Sequence, residues 1–280
     1  MNFNNYKYEH LDLEKIKEEF SELIGSFEKA ENVEGQIEAF DKIIKLRNHI
    51  ETMQTLVSIR HSIDTNDEFY DKENEYMDEI SPILFGFTND FYKALVNSKF
   101  KEELIKKYGK LLFDLAENTL KVFSNEIIPD AQEENRLSSK YSKLIASAKI
   151  DFDGKELNLS QMVPYTQSKD RNVRIEAAKK VAQFFAENQE EFDNIYDSLV
   201  KVRTKMAQKM GYKNYVEFGY KQLSRLEYDA KMVEGYRKQV LENIVPLHTE
   251  LRKRQEKRLG VEKLRFYDEA IKFNSGNADP

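Results

Sequence analysis

The histidines are the first residues in this sequence that could take part in metal chemistry. The chain has four, His10, His49, His61 and His248, and it has no cysteine. A zinc hydrolase usually places two histidines four residues apart on one helix, with a glutamate between them as general base. No pair here has that spacing, and His248-Thr249-Glu250 lacks the second ligand and the order of the motif. We interpret each histidine as an ordinary surface or core residue, so the sequence predicts no catalytic residue and no bound metal in this chain.

Motifs for other ligands are incomplete as well. No two glycines form a G-x-G phosphate cradle, and Gly109-Lys110 lacks the remaining residues of a P-loop. The segment DFDGKE at 151–156 lacks the spaced acids of a calcium loop. A basic block contains no aromatic residue: Arg252, Lys253, Arg254, Lys257 and Arg258. Because the chain as a whole has a net charge of −6, a solvated helix end is favoured over a nucleic-acid site, and no nucleic-acid partner is expected.

The composition indicates the elements that must position any site. Charged residues make up 34% of the chain and hydrophobic residues 40%, with ten glycines and five prolines. So few glycines and prolines could not supply the turns between many short strands, which favours long helices and a mainly α fold. The first 140 residues are net acidic and the last 140 net basic. This asymmetry fits two lobes that face each other across a cleft, and it equally fits a chance distribution of solvated helix faces.

Targeting signals are not evident in the sequence. No apolar run approaches the ~20 residues that a membrane-spanning helix needs. The N-terminal sequence MNFNNYKYEHLDLEK lacks the charged and then apolar pattern of a signal peptide. Absence of cysteine suits a reducing compartment. We therefore expect a soluble, cytoplasmic protein without a membrane partner.

Residues 1–140 are predicted to form an N-terminal helical lobe of bundle-like, antiparallel helices. Apolar residues repeat there at three- and four-residue steps, as in the long stripe from Ile37 to Ile63. The dipeptide Ser81-Pro82 is predicted to end one helix and to start another, because proline is tolerated in a first turn.

Residues 141–280 are predicted to contain one β-hairpin followed by helices. Alternating apolar residues flank Asp153-Gly154, a dipeptide typical of hairpin turns. Gly211 should end one later helix, and a long helix should begin at Asp229. Pro246 should kink that long helix, and Gly260 should end it.

Several segments together resemble a known family. They are MGYKNYVEFGYKQLSRLEYDAKMVEGYRKQV (210–240), VPL (245–247), LGVEKLRFYDEAIKFNSGNADP (259–280), IDFDGKELNLSQM (150–162) and SKDRNVRIEAAKKV (168–181). In order and spacing they are similar to the oligoendopeptidase F branch of the thimet-type zinc oligopeptidases. The resemblance covers residues 141–280 by motif, and residues 1–140 in helical character.

The resemblance implies a largely helical protein with two lobes around a deep channel, in which short peptides are hydrolysed. Zinc is held in that family by an H-E-x-x-H helix and a later glutamate, downstream of the segment that ends this sequence. The chain is therefore expected to be the N-terminal part of such a peptidase, a fragment or a split gene product. Region 141–280 would be the beginning of the peptidase domain. These 280 residues alone are predicted to be inactive, with the missing C-terminal catalytic region as their partner.

Six residues become candidate substrate-binding residues through the resemblance: Tyr212, Tyr215, Arg225, Tyr228, Arg265 and Tyr267. Tyrosine hydroxyls and arginines of this kind would bind peptide carbonyls and carboxylates in the channel. The alternative for these residues is aromatic packing that fixes interhelical angles. The alternative function for the chain is a non-catalytic helical interaction module.

Overall fold

Helices dominate the computed structural model, which describes residues 3–276. Within that range the α-helices are α1 (Leu13–Lys29), α2 (Val33–Ile63), α3 (Glu68–Val96), α4 (Lys101–Tyr108), α5 (Lys110–Thr119), α6 (Ile128–Ala146), α7 (Leu159–Thr166), α8 (Arg171–Glu187), α9 (Gln189–Lys209), α10 (Tyr215–Gln222), α11 (Ala230–Gln239) and α12 (Val245–Leu259). Strands β1 (Ile150–Phe152) and β2 (Lys155–Leu157) form an antiparallel hairpin. Over the described residues, the predicted mainly α fold with one hairpin is confirmed.

The chain divides into two compact units. The first unit runs to Lys140 and also includes Asp197–Glu227. The second consists of Tyr141–Tyr196 and continues from Tyr228. The division into an N-terminal helical lobe, 1–140, and the beginning of the peptidase domain, 141–280, stays a prediction.

Side-chain caps fix where many of the helices begin. A carboxylate or amide oxygen of the residue before the helix accepts a backbone N–H of the first turn, which would otherwise have no partner inside the helix. The residues that cap in this way are Asp12, Asn32, Asp67, Asn158, Asp170, Asn214 and Asp229. Asp229 thus starts α11, as predicted.

The core of the first unit lies where α1, α2 and α3 pack together. Phe27 and Phe40 both contact the ring of Phe91 edge-on, with centroids 5.8 and 5.6 Å away. Leu95 of α3 and Leu104 of α4 are fully buried in the same cluster. Aromatic rings in this geometry contribute about 0.5–1.5 kcal/mol per pair beyond their burial, so the Phe91 ring stabilises the packing of α3 on α1 and α2.

The prediction that Ser81-Pro82 separates two helices is wrong, because α3 continues through the buried Pro82. Proline has no N–H for the carbonyl of the residue four positions earlier. That carbonyl, of Asp78, instead accepts a hydrogen bond of 3.0 Å from the Asn135 side chain of α6. Gln132 donates in the same way to the next carbonyl, of Glu79, at 2.8 Å. These tertiary hydrogen bonds replace what proline removes.

The hairpin of the second unit turns at Asp153 and Gly154, as predicted. Both residues have positive φ, 53° and 70°, as a tight two-residue hairpin turn requires. Ile150 pairs with Leu157, and their buried side chains join Met162, Ala177 and Phe184 in one cluster. A lone hairpin is marginal in water; packing on α7 and α8 stabilises this one.

A five-residue π-helix, Val240–Ile244, links α11 to α12 where the sequence predicts a kink at Pro246. The N–H of Val245 donates to the carbonyl of Val240, which is the i→i+5 pattern of a π segment. Pro246 then occupies the first turn of α12, where its missing N–H is not needed. Gly260, with φ +65°, ends α12 as predicted.

Among residues 3–276, no helix combines the length and the apolar character that crossing a bilayer demands. The final four residues of the motif FNSGNADP lie outside the described residues.

Candidate functional site

The Tyr-rich segment begins with a glycine-dependent turn at the end of α9. Gly211 has φ +82° and donates its N–H to the carbonyl of Gln208, while Tyr212 donates to the carbonyl of Ala207. This pair of bonds is a Schellman motif, and the left-handed position favours glycine. The predicted helix end at Gly211 is confirmed. The turn directs Tyr212 toward the segment that follows α5, where its hydroxyl donates to the Lys121 carbonyl at 3.0 Å.

Tyr215 starts the short helix α10, which lies between the predicted helix end at Gly211 and the predicted helix start at Asp229. Its hydroxyl donates to the side-chain carbonyl of Gln222 at 2.7 Å, and its ring lies against Phe218. Gly219 leaves room for this ring, because a Cβ at that position would lie only 3.0 Å from the Tyr215 ring. Burial, with the nearby Glu134 carboxylate, raises the pKa of Tyr215. This tyrosine stays protonated and acts as a hydrogen-bond donor.

A cavity of about 530 Å³ lies in the first unit, and Gln222, the hydrogen-bond partner of Tyr215, is one of the residues that line it. Its walls are mainly apolar and come from helices α3, α5, α6 and α9 and from the segment between α5 and α6: Pro82, Phe85, Leu115, Val122, Phe123, Ile127, Ala131 and Met206. Its polar groups lie on α2, α3, α5, α6, α10 and the loop after α10: Arg47, Ser81, Thr88, Tyr92, Asn118, Thr119, Glu134, Asn135, Lys221, Gln222 and Ser224. A concave pocket that combines apolar walls with polar groups can hold a small ligand or a side chain.

Polar contacts hold the elements that line this cavity. Arg203 of α9 donates to Glu134 of α6 at 2.6 Å, and the Arg203 guanidinium lies 5.9 Å from the Tyr215 ring centre. Asn118 of α5 is buried and donates to the Lys221 carbonyl at 2.7 Å. Together these contacts join α5, α6, α9 and α10 around the cavity.

The residues after α10 adopt an unusual backbone conformation at the rim of the cavity. Ser224 has φ +54°, in the left-handed region that non-glycine residues seldom occupy. The next residue, Arg225, donates its N–H to the Tyr220 carbonyl and places its guanidinium 4.5 Å from the Tyr220 ring centre. Stacking on Tyr220 therefore accounts for the position of Arg225.

A buried ionic cluster lies in the second unit around Asp268. Arg171 and Arg174 of α8 both donate to its carboxylate, and so does the backbone N–H of Arg265. Burial alone would raise the pKa of Asp268, but these hydrogen bonds lower it to about 2. Asp268 is thus ionised at neutral pH, and it fixes the short 3₁₀ segment Phe266–Asp268 to α8.

Two of the six candidate residues, Arg265 and Tyr267, lie beside this cluster. Arg174 donates to the Tyr267 carbonyl at 3.0 Å, and the Arg171 guanidinium lies 5.3 Å from the Tyr267 ring centre. The Arg265 side chain is exposed although its backbone is held by Asp268. Tyr228 is also exposed, at 45%.

The structure therefore brings together Tyr212 and Tyr215, which share the ring of Phe218. Arg225 follows them in the first unit, whereas Tyr228, Arg265 and Tyr267 belong to the second unit. Substrate binding by all six residues stays a prediction. In the first unit, Tyr212, Tyr215 and Arg225 make the contacts expected of residues that pack helices together, which is the alternative to substrate binding.

Sequence reasoning missed the residues that line the cavity and the pair of Arg174 and Asp268. Arg174 did leave a signal, because it lies three residues before Ala177 on the apolar face of α8. A charged residue on such a face needs a buried partner. Glu134, Gln222 and Asn118 left no comparable signal, because their neighbours in the cavity come from distant parts of the chain.

The described donors do not fit a zinc site. No group of three or more His, Cys, Asp or Glu residues within residues 3–276 is placed to hold a metal ion. The nearest arrangements are pairs: His10 with Glu73 at 2.9 Å, and His61 with Asp71 at 3.1 Å. A zinc site needs about three protein ligands, so no step through a metal is assigned to these residues.

Comparison with known families and structures gives consistent matches. The model of the peptidase M3 N-terminal domain matches residues 3–123, and that of peptidase family M3 matches residues 164–274. A search of curated proteins found no match.

Three solved structures share this fold over 99% of the chain. PZ peptidase A with inhibitor 2 is 51% identical with a TM-score of 0.97, and this chain covers 49% of it. A Bacillus anthracis str. Ames protein assigned as an oligoendopeptidase F is 50% identical with a TM-score of 0.96, and 51% of it is covered. Another protein assigned as an oligoendopeptidase F is 47% identical with a TM-score of 0.97, and 49% of it is covered.

The chain thus spans about half the length of the solved structures it matches. Both family models and the level of identity agree with the resemblance that the sequence motifs indicated, which is confirmed. The chain belongs to peptidase family M3, in its oligoendopeptidase F branch.

Proposed function

We propose that this chain forms part of the peptide channel of a zinc-dependent oligopeptidase, which hydrolyses short peptides in the full-length protein. The observation that carries the proposal is about 50% identity, over nearly the whole chain, to proteins named as peptidases. In that channel, the residues of this chain bind and orient the peptide.

Exposed polar side chains support this role. Arg265 is exposed, and Asp268 accepts a hydrogen bond from its backbone N–H. A guanidinium binds carboxylates with two parallel hydrogen bonds. Tyr228 is 45% exposed. We propose that Arg265 and Tyr228 contact peptide directly, and that Tyr212, Tyr215, Arg225 and Tyr267 are further substrate-binding residues.

Zinc is proposed as the cofactor of the full-length protein, since peptidases of family M3 are generally zinc-dependent. The metal supplies an activated water for peptide hydrolysis when it is bound. The His, Asp and Glu residues of the described part of this chain do not fit a zinc site. We therefore propose that the zinc ligands lie in the half of the relatives that this chain does not match. We also propose a cytoplasmic location, which the absence of cysteine supports.

A fusion of this chain to the half of a relative that it does not match tests the proposed function. The chain would be joined to the unmatched half of the Bacillus anthracis relative and assayed with a fluorogenic oligopeptide and added zinc. We expect hydrolysis by the fusion that a chelator removes, and none by the 280 residues alone. Chelator-sensitive hydrolysis by the 280 residues alone would contradict the proposal. A folded fusion that hydrolyses no peptide would favour the interaction module.

A further inference from the structure

The cavity of the first unit has walls that this chain itself buries. Its lining residues all belong to that unit. Five of them are buried apolar residues: Pro82, Val122, Phe123, Ile127 and Met206. The volume of about 530 Å³ lies within the range of about 300–1,000 Å³ that small-molecule sites occupy. The helices of the first unit therefore form a site of ligand size by themselves.

Two buried polar side chains in this cavity have unused hydrogen-bonding capacity. Thr88 is 8% exposed, and its hydroxyl has no hydrogen-bond partner among the described residues. Asn118 is 7% exposed, and its Nδ2 donates to the Lys221 carbonyl at 2.7 Å. The Oδ1 atom of the same amide has no partner within residues 3–276. Because buried polar groups are nearly always hydrogen-bonded, the Thr88 hydroxyl and the Asn118 oxygen are available to a ligand.

Arg47 of α2 adds a positive charge to the cavity. One of its N–H groups donates to the Tyr92 hydroxyl at 3.3 Å. The carboxylate of Glu51 lies 3.6 Å away, which is beyond a normal hydrogen bond, and the Glu51 side chain is 63% exposed. A guanidinium has five N–H donors, so several remain free to bind an anion.

The other charged groups of the cavity leave its balance positive. Glu134 is already paired with Arg203, at 2.6 Å. Lys221 has the carboxylate of exposed Glu217 at 4.0 Å, and exposed pairs of this kind contribute little. A positive cavity with apolar walls favours a ligand that combines an anionic group with an apolar body.

We propose that this cavity binds an N-acylated apolar amino acid, the chemical unit that also forms the C-terminal end of a short peptide. Arg47 and Thr88 donate to its carboxylate, and the Asn118 oxygen accepts its N–H. The apolar walls hold its side chain. Guanidinium groups recognise carboxylates through paired hydrogen bonds, which makes Arg47 the main determinant of affinity. The site goes beyond the proposed function, because it uses none of the six candidate residues and binds without hydrolysis.

Calorimetric titration of the full chain tests each part of this recognition. The probes are N-acetylphenylalanine, its carboxamide, and 3-phenylpropanoate, which has the carboxylate but lacks the N–H. We expect one saturable site for N-acetylphenylalanine, and binding weaker by about tenfold or more for the carboxamide, which cannot pair with a guanidinium. The 3-phenylpropanoate should bind about threefold to tenfold more weakly, because the Asn118 oxygen stays unpaired. Absence of saturable binding, or equal affinity for the acid and its carboxamide, would overturn the proposal.

A pair of charge substitutions on one helix assigns the anion to Arg47. Arg47→Gln should weaken binding of N-acetylphenylalanine by about tenfold and remove the preference for the acid over the carboxamide. Lys42→Gln is the control, because Lys42 lies on the same α2 helix, carries the same charge and is exposed. It should leave the affinity unchanged. Equal weakening by both substitutions would reduce the effect to general electrostatics and contradict the assignment.

A second variant decides the matter if Arg47→Gln does not fold. Ala131 lines the cavity on α6, so Ala131→Leu should occupy part of the space that the ligand needs. We expect binding weakened by about tenfold or more in a variant whose thermal melt remains cooperative. Unchanged affinity in folded Ala131→Leu would place the ligand elsewhere and overturn the proposal.

The source of the ligand follows from a further titration. The tripeptide alanyl-alanyl-phenylalanine would be compared with N-acetylphenylalanine. Tighter binding of the tripeptide would identify a peptide end, and tighter binding of the acylated amino acid a free metabolite; either order supports the site.

The fusion with the unmatched half of the Bacillus anthracis relative separates this site from the proposed function. The fusion should bind N-acetylphenylalanine as the chain alone does. Loss of binding in the fusion would show that the added half fills the cavity, and the proposal would fail. A fusion that binds the ligand but hydrolyses no peptide would leave the site standing and contradict the proposed function.

Discussion

Arg174 and Asp268 form a buried ion pair in the second unit, with Arg174 Nη2 2.8 Å from Asp268 Oδ1 and both residues at most 3% exposed. The two residues are 94 positions apart in the sequence. Arg174 also donates to the carbonyls of Ser168, Lys169 and Tyr267. Breaking such a pair is strongly destabilising because the remaining charge stays buried without its partner.

Asp268→Asn should therefore lower the free energy of unfolding by about 3–5 kcal/mol. Urea denaturation followed by circular dichroism measures this loss. Glu176→Gln is the control, because Glu176 pairs with Lys179 on the exposed surface of the same α8 helix. Surface pairs contribute about 0–1 kcal/mol, so a comparable loss in both variants would contradict the role assigned to Asp268.

The same carboxylate should make stability depend on acid pH. Its pKa is lowered to about 2 in the folded chain, from an ordinary value of 3.8. A depressed folded-state pKa gives stability that is present above the unfolded pKa and is lost as pH falls through the folded value. The difference in unfolding free energy between wild type and Asp268→Asn should therefore shrink as the pH falls from about 4 to about 2. A difference that stays constant over this window would exclude the linkage.

Gly211→Ala should lower the free energy of unfolding by about 1 kcal/mol, because alanine is strained at the positive φ of the Schellman turn. Gly25→Ala is the matched control: Gly25 lies inside α1, and a Cβ there would meet nothing within 4 Å. That change should raise stability by up to about 1 kcal/mol. Thermal melts should thus shift in opposite directions for the two variants, and a shift in the same direction would refute the argument.

Asn118→Ala should destabilise the first unit by about 1–3 kcal/mol, because the Lys221 carbonyl loses its buried donor. Asn97→Ala is a suitable control, since Asn97 donates to the Lys93 carbonyl in an exposed position. Chemical denaturation of both variants separates the two cases. Equal small effects would show that the contact between α5 and α10 contributes little.

Arg265→Ala tests substrate binding without disturbing the fold. Its side chain is exposed, and its backbone N–H bonds to Asp268 whatever the side chain. We expect less than about 0.5 kcal/mol change in stability, as for most surface substitutions. In the fusion with the unmatched half of a relative, KM for a short peptide should rise with kcat nearly unchanged. An unchanged KM would remove Arg265 from the proposed channel wall.

Local elements and the family could be predicted from the amino-acid sequence alone. Capping residues such as Asp229, the turn at Asp153 and Gly154, and the helix end at Gly211 depend on side chains and backbone within a few positions. Periodic apolar residues likewise define helices from local spacing. The motifs of residues 141–280 are sufficient to indicate the oligoendopeptidase F branch, because their order and spacing are properties of the sequence itself.

Contacts between distant residues depend instead on tertiary packing. Pro82 remains inside α3 because Asn135, 57 positions after Asp78, bonds to the carbonyl of Asp78. The cavity of the first unit, the pairing of Arg174 with Asp268 and the exposure of residues 234–251 also depend on tertiary packing. Each depends on which faces of separate helices pack together, and periodicity identifies an apolar face without identifying its partner.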